Sequence, residues 1–181
     1  MATQPWKVPS DVADLIEGVK QKYHLPRLQD AKIVACFEDS KPFTKNRPNL
    51  GKVVKFTPLA KLWHNSDSCD FCVVICADFW HDVLTSKDQR EALADLLLSR
   101  CDVEYIPETI TENGKKKPIK DDWGRVKYTN EIKVDKVGQP VWRISPLDLE
   151  VYTSNIRRFG FWFEEFRNLQ SAVETASKEA A

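Results

Sequence analysis

Hydrophobic positions along the chain follow two spacings, and the elements they predict alternate. Phe71 to Ala77 is an unbroken apolar run rich in Val and Ile, the pattern of a buried strand. Lys32–Phe37 reads as an earlier strand, and Lys52–Phe56 alternates polar and apolar as a half-buried strand does. Between these, Glu38–Gly51 is polar and rich in turn formers, so a loop is expected there. Three- and four-residue spacing marks the helices. Val12, Leu15, Ile16 and Val19 form one stripe of a helix capped by Ser10 or Asp11 and running to Tyr23, ended by His24-Leu25-Pro26. Pro58 can open a short helix over Leu59, Leu62 and Trp63.

The strongest helix signal is Ser86-Lys87-Asp88-Gln89, a capping box in which Ser86 and Gln89 each satisfy a free backbone N–H of the other's turn. The helix it opens should run to about Cys101, with Leu93, Leu96, Leu97, Arg100 and Cys101 on one face. Beyond Cys101 the pattern changes. Strands are predicted at Val103–Ile110, Arg125–Thr129, Glu131–Val134 and Pro140–Ile144. Asn113-Gly114 is a tight-turn signal between the first of them and Lys115-Lys116-Lys117. Ser145-Pro146-Leu147-Asp148 starts a further helix to about Phe159, Gly160 interrupts it, and Phe161 to Phe166 opens a last one with a polar tail.

A chain of 181 residues is long enough for one domain with a substantial core. The expected organisation is an irregular arm over residues 1–9, an α/β (α+β) domain over 10–170 with a hairpin-rich insertion at about 103–144, and a polar tail over 171–181. The formal net charge is zero, so composition favours neither a nucleic-acid binder nor an acidic mimic of one. Local charge is uneven: residues 20–61 carry ten Lys/Arg against three acids, and 66–112 carry three against eleven. No apolar run is long enough to span a membrane, and Met1–Trp6 has no signal-peptide character. Five cysteines, an odd number, then suggest reduced thiols in a cytoplasm.

Asp70-Phe71, Val73-Val74-Ile75, Trp80 and Arg90-Glu91-Ala92-Leu93 stand in an order and spacing that resembles a phage-encoded metallopeptidase family, and Ala31-Lys32-Ile33 adds to the likeness. So do Asp148-Leu149-Glu150 and Arg158-Phe159-Gly160-Phe161-Trp162 near the end. The resemblance implies a zincin-like fold, a small mixed sheet beside a central helix carrying His-Glu-x-x-His, and a phage origin. In that motif one helical turn brings two imidazoles to one metal while the glutamate polarises bound water. On the same spacing the motif's residues fall here on Leu96, Leu97 and Arg100, and a third ligand on Leu147. Leucine has no lone pair to give, and a guanidinium stays protonated.

The resemblance therefore implies a scaffold without catalytic residues, metal or cofactor. What remains to a scaffold without its chemistry is shape and surface, so a binding or inhibitory role toward a host or phage protein is expected. Arg100 would pair with Asp95, Asp148 or Glu150, or else hold an anion. Contacts are expected from the basic loop Lys41, Phe43, Lys45, Arg47, Lys52 and Lys55 and from the hairpin Asn113, Lys115, Lys116 and Lys117. Those same lysines leave nucleic-acid binding as an alternative. A second alternative is a zinc hydrolase with ligands relocated to Cys69, Cys72, Cys76 and His81. Strand alternation speaks against that set, because it turns Cys69 away from Cys72.

Overall fold

The structure, a computed structural model, describes residues 5–25, 27–44, 47–57, 69–112, 115–122, 124–146 and 149–163. It is an α+β protein built as two compact units, one formed by Met1–Cys101 with Ile144–Ala181 and the other by Asp102–Arg143.

The first unit is organised on a four-stranded mixed sheet. Its strands are β1 (Trp6–Lys7), β2 (Ile33–Glu38), β5 (Lys52–Lys55) and β6 (Phe71–Cys76), in the order β1-β2-β6-β5; β3 (Phe43–Thr44) and β4 (Arg47–Pro48) form a small antiparallel pair between β2 and β5 in sequence. The apolar run β6 is central, parallel to β2 with Ile33 opposite Phe71, and antiparallel to β5 with Val53 opposite Val73. Gly51 enters β5 with φ +103°, and a Cβ built there would stand 2.2 Å from the Val74 carbonyl oxygen. Only glycine permits so close an approach in that conformation.

Among the described residues three α-helices accompany the sheet: α1 (Ser10–Tyr23), α2 (Lys87–Leu98) and α3 (Leu149–Phe159), with α2 packed against both of the others. The capping box of α2 is present: Gln89 N–H donates to Ser86 Oγ at 3.2 Å, and Ser86 N–H to Gln89 Oε1 at 3.1 Å. Every residue from Ala92 to Leu98 is buried, so α2 is the core helix of this unit and not a half-exposed one.

Several expectations need correction. The arm is not wholly irregular, because Trp6–Lys7 pairs with Cys36 and Phe37 as an edge strand. Helix α1 has Pro9 at its N-cap and no side-chain cap, so neither Ser10 nor Asp11 serves that role. Helix α2 stops at Leu98, and Cys101 already belongs to a strand. The link from β6 to α2 is a π-helical turn, Phe79–Val83, with Leu84 N–H on the Phe79 carbonyl at 3.2 Å and Phe79 and Trp80 buried. Gly160, at φ +68°, ends α3 as expected, but Phe161–Phe163 is not helical. The short helix expected from Pro58 and the rest of the last helix lie outside the described residues.

The second unit consists of short antiparallel strands. β7 (Cys101–Val103) lies beside β12 (Trp142–Ile144), β8 (Tyr105–Pro107) beside β11 (Tyr128–Ile132), and β9 (Thr109–Glu112) beside β10 (Lys115–Pro118). The expected strand over 103–110 is thus broken in three, and those at 125–129 and 131–134 give way to one strand over 128–132. Register pairs Glu112 with Lys115, the arrangement a two-residue connection requires. Asp102 and Arg143 close the unit's two ends at 2.7 Å.

Candidate functional site

Helix α2 carries the one deeply buried ionic cluster among the described residues, and Asp95 is its centre. The Asp95 carboxylate is fully buried. It accepts from His24 Nε2 at 3.0 Å, from Asn155 Nδ2 at 2.7 Å and from the Arg158 guanidinium. Asn155 also donates to the Ala92 carbonyl at 2.9 Å and accepts from Trp162 Nε1 at 2.7 Å. Arg27 lies 3.1 Å from His24 Nδ1. An arginine can only donate, so His24 holds its proton on Nε2, facing Asp95. Side chains from α1's end, α2 and α3's end thereby meet on one carboxylate.

Burial pushes the Asp95 carboxyl upward, but hydrogen bonds from His24 and Asn155 and the charge of Arg158 outweigh it and hold the group below its usual range. Burial lowers His24, with the Asp95 contact opposing it, so the imidazole is neutral at neutral pH. An aspartate orienting a histidine is a frequent catalytic pairing. Here both ring nitrogens are committed and the residue is 4% exposed, so His24 offers no free nitrogen to a substrate. The cluster ties the helices together.

The positions where the resemblance places a metal lie on the same helix. Leu96 and Leu97 are 0% and 1% exposed and fill the core. Arg100 is half-buried; its Nε is buried and has no hydrogen-bond partner among the described residues. The expected Arg100–Asp95 pair is not formed, because Asp95 is already committed to His24, Asn155 and Arg158. Asp148, the side chain of Glu150 and Leu147 lie outside the described residues. Two leucines and a guanidinium do not fit a zinc ion. Among the described residues, no three His, Cys, Asp or Glu side chains converge as a metal-binding group elsewhere.

The relocated set does not assemble. Cys69 Sγ donates to the Phe71 carbonyl at 3.1 Å, Cys76 Sγ to the Ser40 carbonyl at 3.1 Å, and His81 lies against the Phe37 ring at 5.2 Å. Cys72 instead meets Cys36, Sγ to Sγ at 3.2 Å. This contact lowers the Cys36 thiol's pKa and raises that of Cys72.

The basic residues are dispersed. Lys52 is bound to Glu38 at 2.9 Å, Phe43 stacks near Phe79 and Phe163, and Lys41 is exposed. Lys45, Asn113 and the side chain of Arg47 lie outside the described residues; Lys55 is half-buried, and Lys115, Lys116 and Lys117 are exposed along β10. A groove of about 490 Å³ between α1 and β2 is lined by Lys7, Asp14, Glu17 and Lys20 among apolar side chains. Lys20 is spent there on the Ala31 carbonyl and Glu17, at 2.9 and 3.6 Å.

Residues 4–177 match the model of a family described as "Putative phage metallopeptidase". Comparison with curated proteins gave no match, and comparison with solved structures gave none.

Proposed function

The chain belongs to the phage metallopeptidase family, and from that premise we propose that it binds a host or phage protein and does not cleave peptides. The observation that carries this reading is the α2 face at Leu96, Leu97 and Arg100. Where a peptidase of this family needs lone pairs, this chain has two sealed leucines and a cation. A scaffold so changed keeps its shape and surface. The surface of the second unit supports the same reading: Ile106, Ile110, Tyr128, Ile132, Val134 and Val137 are exposed, as are the lysines of β10, with Lys117 opposite Ile110. Pro107 stands opposite Tyr128 and Tyr105 opposite Ile132, with an irregularity in the β8–β11 register between the two pairs. Exposed aromatic and branched side chains beside cations are the composition of a protein-binding patch.

The test is capture from a bacterial lysate with the tagged chain, compared with a Tyr128→Asp, Ile132→Asp variant, at low and moderate salt. A retained protein lost in the variant and held at moderate salt supports the reading. Retention of nucleic acid that collapses with salt would favour the alternative on Lys115, Lys116 and Lys117. Peptide turnover by the purified chain would overturn it.

A further inference from the structure

The thiols of Cys36 and Cys72 form a contact that the cluster on Asp95 and the proposed binding surface leave unused. The two residues sit on the paired central strands β2 and β6, and the register sets Cys36 opposite Val74 and Cys72 opposite Val34. They are therefore diagonal neighbours on one face of the sheet. The same face carries Lys52, opposite Val74, and Val54, opposite Cys72. Val34 and Val54, which flank Cys72 in its row, are exposed to 43% and 42%, and both cysteines are half-buried, so solvent reaches the pair.

Two chemistries suit paired thiols, and geometry separates them. A disulfide needs sulfurs about 2.05 Å apart and α-carbons usually no more than about 6.8 Å apart. Diagonal positions on neighbouring strands are roughly 8 Å apart between α-carbons, from about 4.8 Å across and about 6.6 Å along. Closing the 3.2 Å gap to a bond would ask the two central strands to approach by about 1 Å at these positions, against the packing of the sheet. A cation bridging two thiolates needs no such movement: at a metal–sulfur length of about 2.3 Å and a tetrahedral angle, the sulfurs stand about 3.8 Å apart. That asks for about 0.6 Å of side-chain adjustment from the 3.2 Å separation.

We propose that Cys36 and Cys72 form a two-thiolate site for one soft divalent cation of the zinc or cadmium class, on the open face of the β2–β6 pair and away from α2. Binding displaces one proton from each thiol to solvent, and the neutral pair becomes a dithiolate whose two charges the cation balances. The coordination positions left over face solvent and take water. The contact between the sulfurs lowers Cys36 and, together with burial, raises Cys72, so the cation's own charge must draw off the second proton; the charge of Lys52 is a smaller aid to both thiolates.

The probe is cadmium(II) ion added alone to the reduced protein, because thiolate-to-cadmium charge transfer gives an ultraviolet band that the free ion lacks. One equivalent should saturate the band. Cys36→Ser and Cys72→Ser should each abolish it, and Cys69→Ser and Cys76→Ser should leave it. In the unsubstituted chain, one equivalent should protect Cys36 and Cys72 from alkylation while Cys69, Cys76 and Cys101 gain no protection. This second measurement holds even if a serine variant fails to fold. Saturation without protection of Cys36, a band that survives Cys36→Ser, or no band at all would each overturn the site. So would a Cys36–Cys72 disulfide formed readily with one equivalent of hydrogen peroxide, since the packing of the sheet opposes it.

Discussion

Replacing Arg158 with leucine isolates the ionic cluster in α2 most cleanly. The Asp95 carboxylate has no solvent contact, and Arg158 is the one permanent cation among its three donors. His24 and Asn155 would remain, at 3.0 and 2.7 Å, but neither carries charge at neutral pH. Removing one partner of a buried pair commonly costs about 3–5 kcal/mol, because the other charge stays behind unpaired. Solvent reaches 31% of the Arg158 side chain, which screens part of the interaction, so about 2–4 kcal/mol is expected here. Loss of the stacking of Arg158 on Tyr23, at 5.2 Å, falls within that range. At the usual sensitivity for a chain of this size, the melting temperature should fall by roughly 4–16 °C. Urea unfolding of four proteins reads the coupling: the original chain, Arg158→Leu, Asp95→Asn, and the double variant. The double variant should be more stable than Arg158→Leu alone, because asparagine leaves no charge stranded, although its single amide oxygen can replace only one of the two carboxylate oxygens that accept from His24 and Asn155. The deficit of Arg158→Leu should also shrink in acid, as Asp95 becomes protonated. A loss below about 1 kcal/mol, or additive effects in the cycle, would show that the cluster is not the ionic tie described.

Stability should fall with acid from near neutrality. The folded protein holds His24 below its ordinary value of 6.5, so the unfolded chain takes up the proton first and the loss begins as pH drops through about 6.5; depressed Asp95 continues it through the carboxylate range. Denaturant midpoints between pH 8 and pH 4 check this, and His24→Gln should flatten the upper part of the curve. Gly51→Ala should cost roughly 2–5 kcal/mol, from positive φ and from the overlap with the Val74 carbonyl, read as a shifted urea midpoint with unchanged slope. Writing the peptidase motif back, as Leu96→His, Leu97→Glu and Arg100→His, should destabilise the fold by at least about 3 kcal/mol and should not yield zinc-dependent peptidase turnover. Two polar groups would enter a core that offers them no prepared partners. Recovery of stability and turnover on adding zinc would refute that.

Signals that are local in sequence were legible, and those that depend on distant partners were not. The capping box at Ser86 and Gln89 announces α2, and the apolar run announces β6, because each is written in a few neighbouring residues. The α+β class follows from the alternation of the two periods. The strand at Trp6–Lys7 is two residues long and is created by the open edge of β2, which leaves no periodic trace. The breaks in the second unit fall at single residues, Glu104 and Glu108, finer than propensity along the chain can mark. The candidate site shows the same division. Loss of metal ligands at Leu96, Leu97 and Arg100 is visible once the likeness to the family is seen. The partners of Asp95 are not: His24 and Arg158 lie far from it along the chain, and only the packing of three helices joins them. An aspartate inside a run of Ala and Leu was the available clue, since an acid at a core position requires partners. Cys36, likewise, drew no notice beside the Cys-x-x-Cys spacing of Cys69 and Cys72, and parallel strand register supplies the contact.

The proposed binding role requires that the α2 face at Leu96, Leu97 and Arg100 hold no metal. Its most direct test is the metal content of a Cys36→Ser, Cys72→Ser variant, in which the thiol pair cannot contribute. The protein is incubated with excess zinc, dialysed, analysed by elemental assay, and melted with and without chelator. The account expects well under one equivalent of zinc and the same melting temperature in both. One retained equivalent whose removal by chelator lowers the melting temperature would contradict it.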